Sequence, residues 1–180
     1  MSQLAPLADW AHTREIPLVV DQAWAAHLDF GVPSHPNALS QGADIVATSV
    51  HKALMGYSQT AVIAIRGDLV TPTWIDRALA QTATTSPSAT LLATIDATRA
   101  AMVREGSAAI DRSFDLAAEM KASLRQVPGV VVVDDSNAGC LVDPLKIVLW
   151  LPRTGVEGSK LAAELWKLGI GVEATDRDTF

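Results

Sequence analysis

Cysteine is nearly absent from these 180 residues, with Cys140 the single example. One cysteine excludes an internal disulfide and a multi-cysteine metal site, fits a reducing compartment, and reads most simply as a small buried hydrophobe. His12, His27 and His35 are scattered, with no second ligand four residues on and no cysteine pair nearby. No metal site is expected, and each is read as a structural or surface residue. Basic charge is in deficit, 14 Lys and Arg against 20 Asp and Glu for a net charge of −6, and no Lys/Arg cluster offsets it. That balance argues against a nucleic-acid partner. No apolar run approaches the ~20 residues of a membrane span, and the opening Met1-Ser-Gln-Leu-Ala-Pro6 has neither the charged start nor the apolar stretch of a secretion signal. A cytoplasmic protein with no membrane contact is the expectation. Internal repeats and low-complexity segments are missing as well.

What is there is an alternation of helical and extended patterns, which places the chain in the α/β class. Residues 4–14 set Leu7, Trp10 and Ala11 at helical spacing, a crossover helix feeding a strand over residues 17–21. Residues 44–49 and 60–65 read as further strands, and all three are expected to be of the buried parallel kind, apolar on both faces. Thr71-Pro72 opens a helix, with threonine as cap and proline in its first position, and Ser86-Pro87 repeats the device. Leu91, Leu92, Ile95, Thr98 and Met102 form one helical stripe as far as Gly106. Ile110, Phe114, Ala117, Met120 and Leu124 form another, as far as Pro128-Gly129, on a helix that links two domains. Strands over 130–133, 146–151 and 170–173, with a helix around 159–168, outline a small strand-rich unit. The domain boundary is therefore predicted at 127/128. Trp10, Trp74, Trp150 and Trp166 lie on helix or strand faces and are read as core or interface residues.

Two of these strands end in residues that carry chemistry. The first, Pro17-Leu-Val-Val-Asp21, delivers a carboxylate to its carboxyl end, and the second carries Ser49, His51 and Lys52 to the same edge. Ligands of open α/β sheets bind at that edge. A lysine amine that can form a Schiff base, beside a carboxylate that can keep a pyridine nitrogen protonated, is what a pyridoxal 5'-phosphate site requires. If the extended geometry persists past Asp21, period 2 puts Ala23 on the same side, a small residue where a flat ring can approach the backbone. Singly, Asp21 reads as a cap or turn residue and Lys52 as a solvated lysine. The pair, each after an apolar strand and separated by a short helical turn over residues 36–41, outweighs the two separate readings.

At Asp21 to His27, Gly42 to Val46, Ser49-Val-His-Lys52, Ser58-Gln59, Thr84 to Ser88 and Asp143 to Lys146 the chain resembles the Orn/Lys/Arg decarboxylase family, and the resemblance runs over residues 17–173. The family has the aspartate aminotransferase fold, type I. The implied architecture is part of a large pyridoxal phosphate-binding domain, a mostly parallel sheet with flanking helices, plus the start of a small α+β C-terminal domain. Carried over position by position, Lys52 looks like the aldimine lysine, Asp21 like the partner of the pyridine nitrogen, and Ala23 like the residue packed under the ring. Ser49 and His51 are similar to the family's groups beside the cofactor phosphate. Trp24 marks a fork, since one branch has His there and another, including the larger acid-induced decarboxylases, has Trp. Thr84, Thr85 and Ser86 read from sequence as a polar loop; the resemblance implies that this loop reaches the phosphate of the partner subunit's cofactor, in a homodimer or larger homo-oligomer. His27 is kept as a neighbour of the site.

The implied activity is decarboxylation of lysine, ornithine or arginine to an amine of polyamine metabolism. A fold-type-I aminotransferase or carbon–sulfur lyase, and an inactive scaffold remnant, are the alternatives. The family's phosphate-capping loop and ring-stacking side chain precede the part matched here. The chain is thus expected to be an internal fragment, inactive and self-associating when isolated.

Overall fold

The computed structural model describes residues 3–30 and 35–180. The chain divides into two compact units, one reaching Asp111 and one running from Arg112 to Phe180. No helix among the described residues is long and apolar enough to cross a membrane.

The first unit opens with α1 (Ala5–His12), β1 (Val19–Asp21), a 3-10 helix (Ala26–Asp29), β2 (Ile45–Ser49), α2 (Val50–Ala53), β3 (Ala61–Ile65) and α3 (Pro72–Thr82). The strands form one sheet in the order β1-β2-β3. β1 runs parallel to β2, with Val19 opposite Ile45 and Asp21 opposite Ala47, as expected of these strands. β3 departs from expectation. It is antiparallel to β2, with Ile45 opposite Ile65 and Ser49 opposite Ala61. A parallel return needs a crossover of a dozen or more residues, usually a full helix, whereas residues 50–60 hold only the four-residue α2 and a turn. Nor is β3 buried on both faces, since Val62 and Ile63 are exposed, and so is Val19 on β1.

The core of this unit is Ala38, Ala43 and Val46, packed by Leu4, Leu18, Val20 and Leu39. Full burial of a side chain such as Val46 contributes about 1.5–3 kcal/mol. α1 turns Ala8 and Ala11 inward and leaves Leu7 and Trp10 exposed, opposite to the larger residues of the predicted stripe. The reason is close approach: Gly42 sits at φ +97°, and a Cβ there would stand 2.8 Å from the Ala8 Cβ. Asp44, buried at the entry to β2, ties the pieces together. Its Oδ2 accepts from Leu18 N at 2.7 Å and faces His12 Nε2 at 2.8 Å. Its main-chain N–H donates to Leu18 O, and its carbonyl accepts from Arg66 N.

Thr71 and Pro72 stand at the start of α3 as predicted, although the threonine hydroxyl caps nothing. At the next helix the cap is Ser88, not Ser86: its Oγ accepts from Leu91 N at 3.4 Å. That helix, α4 (Ala89–Leu124), runs unbroken for 36 residues through the stretch where Gly106 suggested a stop. Thr98, Met102, Gly106 and Ile110 lie on one buried line, continued by Ala117 and Lys121, while Leu92 and Met120 of the predicted stripes are exposed. Gly106 serves packing here, because a Cβ would lie 2.8 Å from the Met102 Cε.

The second unit adds β4 (Val131–Val132), α5 (Asp135–Ala138), β5 (Leu149–Trp150) and α6 (Gly158–Lys167) to the end of α4. β4 and β5 are antiparallel, with Val131 opposite Trp150. Val132, Leu149 and Leu151 form the core, covered by Leu124, Val130, Ile147, Leu161 and Phe180. Residues 170–173 are not a strand. The outer edge of β5 is taken by the last residues: Leu149 N donates to Phe180 O at 2.7 Å and Phe180 N to Leu149 O at 2.9 Å. Gly158 makes that approach possible, since any side chain there would collide with the Thr179 carbonyl. Cys140 follows the left-handed Gly139 that ends α5 and is exposed, against the expected burial. Trp10, Trp74, Trp150 and Trp166 are all exposed, so none is a core residue of these units.

Candidate active site

The parallel pairing of β1 and β2 sends their carboxyl ends to one edge, and the described residues of interest collect there. Asp21 is the last residue of β1, exposed, with Oδ1 accepting from Ala23 N at 2.9 Å. Its Oδ2 has no hydrogen bond among the described residues. That local bond ends the strand, because a side-chain acceptor two residues back competes with the sheet ladder for the Ala23 N–H. A turn follows, closed by Ala25 N to Gln22 O at 3.0 Å. The condition under which period 2 would carry Ala23 beside Asp21 therefore fails. Ala23 is half-buried on a turn, placed by the Asp21 carboxylate itself.

Gln22 passed unnoticed in the sequence and holds this turn in place. It is buried; its Oε1 accepts from Ala38 N at 2.8 Å and its Nε2 donates to Ala25 O at 3.1 Å. Thr48 Oγ1 donates to the Gln22 carbonyl at 3.2 Å, linking the ends of β1 and β2. In the sequence, only its place next to Asp21 hints at a role.

On the β2 side, Ser49 is buried and stands where α2 begins without capping it. His51 and Lys52 occupy the single turn of α2. His51 is half-buried, with Nδ1 2.8 Å from the Thr60 carbonyl. Lys52 is exposed, and its Nζ lies 4.5 Å over the Trp24 ring. This contact joins the two ends of the edge: a lysine from α2 rests on an indole three residues after Asp21. α2 packs against the 3-10 helix, where His27 is 1% exposed. Asp21, Trp24, Ser49, His51 and Lys52 are thus brought to one edge. Thr84, Thr85 and Ser86 sit on the exposed connection between α3 and α4, where Ser86 N donates to Thr84 Oγ1 at 3.2 Å. Among the described residues no three His, Cys, Asp or Glu side chains gather into a metal-binding group.

The donor set suits a carbonyl-bearing pyridine cofactor with an anionic tail: among the described residues, an exposed amine without an ion pair, a carboxylate with one oxygen open, and a hydroxyl and an imidazole at the same strand end. The major-domain model of the Orn/Lys/Arg decarboxylases matches residues 2–147. The chain belongs to the Orn/Lys/Arg decarboxylase family. A curated relative, arginine decarboxylase from Bacillus subtilis strain 168, is 30% identical over 182 residues, 97% of this chain and 37% of its own length. The chain thus spans little more than a third of that relative. Among solved structures, the Francisella novicida lysine decarboxylase LdcF superposes with a TM-score of 0.72 at 22% identity, over 90% of this chain and 29% of that one. The constitutive lysine decarboxylase of E. coli gives 0.70 at 23%, over 96% and 31%. These likenesses show the mixed α/β fold that family members share.

Proposed function

We propose that this chain carries the covalent lysine and the ring-nitrogen carboxylate of a pyridoxal phosphate-dependent decarboxylase acting on a basic amino acid. The observation behind this reading is the placement of Asp21 and Lys52 on one edge, at the ends of adjacent parallel segments. Lys52 would hold the cofactor aldehyde and release it to the substrate amine. Asp21 would keep the proton on the pyridine nitrogen through its open Oδ2, with Oδ1 steadied by Ala23 N. Ala23 would leave room for a flat ring, and Ser49 and His51 would meet the phosphate. The bound cofactor supplies an electron sink for the pair left behind when carbon dioxide departs.

Trp24 would stand beside the covalent lysine, and Thr84, Thr85 and Ser86 would reach the phosphate of a partner subunit's cofactor in a homodimer. The large domain would extend through residue 127, with a small domain from 128, in a cytoplasmic enzyme. Arginine is the first substrate to test, because the B. subtilis relative is named arginine decarboxylase. A cofactor-loaded protein that carries this chain within the full length of its relatives is expected to release carbon dioxide from arginine, lysine or ornithine with no keto-acid acceptor, and borohydride reduction should leave the label on Lys52. Keto acid formed without carbon dioxide would move the reading to an aminotransferase; label on Lys121, Lys146, Lys160 or Lys167 would remove the lysine assignment.

A further inference from the structure

Thr60 is 1% exposed, lies one residue before β3, and has no part in the function proposed above. Its carbonyl accepts twice, from Val50 N at 2.9 Å and from His51 Nδ1 at 2.8 Å. A carbonyl oxygen cannot donate, so Nδ1 must carry the hydrogen. The carbonyl is itself held rigidly. Thr60 N and Thr60 Oγ1 both donate to Tyr57 O, at 3.1 and 2.7 Å, and Gly56 N donates to Val50 O at 3.3 Å. Gln59 is held at φ +77°, a left-handed conformation that a non-glycine residue rarely adopts. No side chain fits at Gly56, where a Cβ would overlap the Thr60 hydroxyl and stand 2.7 Å from the Val50 Cγ1. Such strain is kept where the surrounding structure dictates it, and here it aims one oxygen at one ring nitrogen.

We propose that Thr60 is a positioning residue: its carbonyl fixes His51 as the Nδ1–H tautomer, so that Nε2, across the ring, can donate to an unprotonated phosphate oxygen only by taking up a proton. A neutral ring in this tautomer presents a lone pair at Nε2, which repels an unprotonated phosphate oxygen. The imidazolium donates instead. One proton therefore passes to Nε2 as the anion binds, from solvent or from a phosphate hydroxyl, and no other bond changes. Among the described residues, the elements packed most closely against α2 are β3, which has no titratable side chain, and the 3-10 helix, which brings His27; α2 itself adds Lys52. The identity of the anion as the cofactor phosphate rests on the function proposed above; the tautomer does not.

The test is nitrogen-15 NMR of the histidine-labelled chain, with the His51 signals assigned by His51→Gln. Where the ring is neutral, Nδ1 should carry the hydrogen and Nε2 should show a lone pair. Saturating inorganic phosphate or pyridoxal phosphate should convert Nε2 to the protonated form and leave Nδ1 unchanged. Gly56→Ala, which displaces Thr60, should give a tautomer mixture and about tenfold weaker phosphate response with unchanged circular dichroism, the effect of losing one hydrogen bond to a charged group. Thr60→Ser should behave as the wild type. A proton on Nε2 in the wild-type chain, or averaging between tautomers, would overturn the proposal, as would an unaltered tautomer in Gly56→Ala. A locked Nδ1–H ring that ignores both phosphates would uphold the positioning role and count against the cofactor reading instead.

Discussion

Asp21 and Lys52 are recognisable without coordinates because each follows a short apolar run and each is a charged residue where a buried strand should stop. What surrounds them is less visible, since it depends on main-chain groups that any residue supplies: the Thr60 carbonyl and the Ala23 N–H leave no mark on side-chain patterning. On the function proposed above, Asp21→Asn should leave the covalent attachment of cofactor intact while lowering turnover at least about tenfold to a hundredfold, because a charge-assisted bond to the ring nitrogen would contribute roughly 1.5–3 kcal/mol. Absorbance of the bound cofactor and steady-state rates separate the two effects, and near-normal turnover would mean that another group protonates the ring. The Lys52–Trp24 contact gives a second expectation. A cation over an exposed indole is stabilised by about 0.5–1 kcal/mol, so Trp24→Leu should raise the rate of Lys52 modification by an amine-directed reagent about two- to fivefold. An unchanged rate would show that the contact does not restrain the amine.

Helices and strands were legible to different degrees, and the differences have physical causes. Periodicity locates β3 but says nothing of its direction, which the short 50–60 connection decides. Gly106 looked like an ending because glycine costs about 1 kcal/mol in a helix, yet its lack of a side chain lets Met102 fold across α4. The four-residue α5 escaped notice altogether, being too short for periodicity and held by its cap. Asp134 Oδ1 accepts from Ser136 N at 2.9 Å, Asn137 Oδ1 accepts from Asp134 N at 3.0 Å, and Arg125 pairs with the same carboxylate at 2.6 Å. The Ser136 hydroxyl and then Arg125 pull the Asp134 pKa below its ordinary 3.8. A carboxyl group shifted this way stabilises the fold above its unfolded value of 3.8, and that stability is lost as pH falls through the lower folded value. Asp134→Ala should therefore cost about 0.5–2 kcal/mol at neutral pH in urea unfolding, with the difference from wild type closing in acid. A gap that persists at the lowest pH would assign the loss to packing.

For the molecule as a whole, the most consequential departure from the sequence pattern is on α4, where Met120 belongs to the apolar stripe and Lys121 is buried instead. A stripe of apolar letters cannot reveal an amine that enters a core to meet a carbonyl, here Pro144 O at 2.7 Å. Loss of water around Lys121 lowers its pKa from 10.5, opposed by the charge of Asp143. Between the folded value and 10.5 the unfolded chain binds more protons, so stability should rise with pH across that window, the penalty for burying the cation being fully present below it. Lys121→Met should flatten that alkaline rise in unfolding measured as a function of pH; an unchanged slope would place its origin elsewhere. Asp44 has a different kind of reach. One buried carboxylate and its own peptide groups hold the amides of Leu18 and Arg66, so residues from two strand approaches depend on a single point of attachment. If that point opens, both amide protons become exchangeable in the same event. Their deuterium uptake should then be synchronous under conditions where each opening leads to exchange, even though 48 positions separate them in the chain.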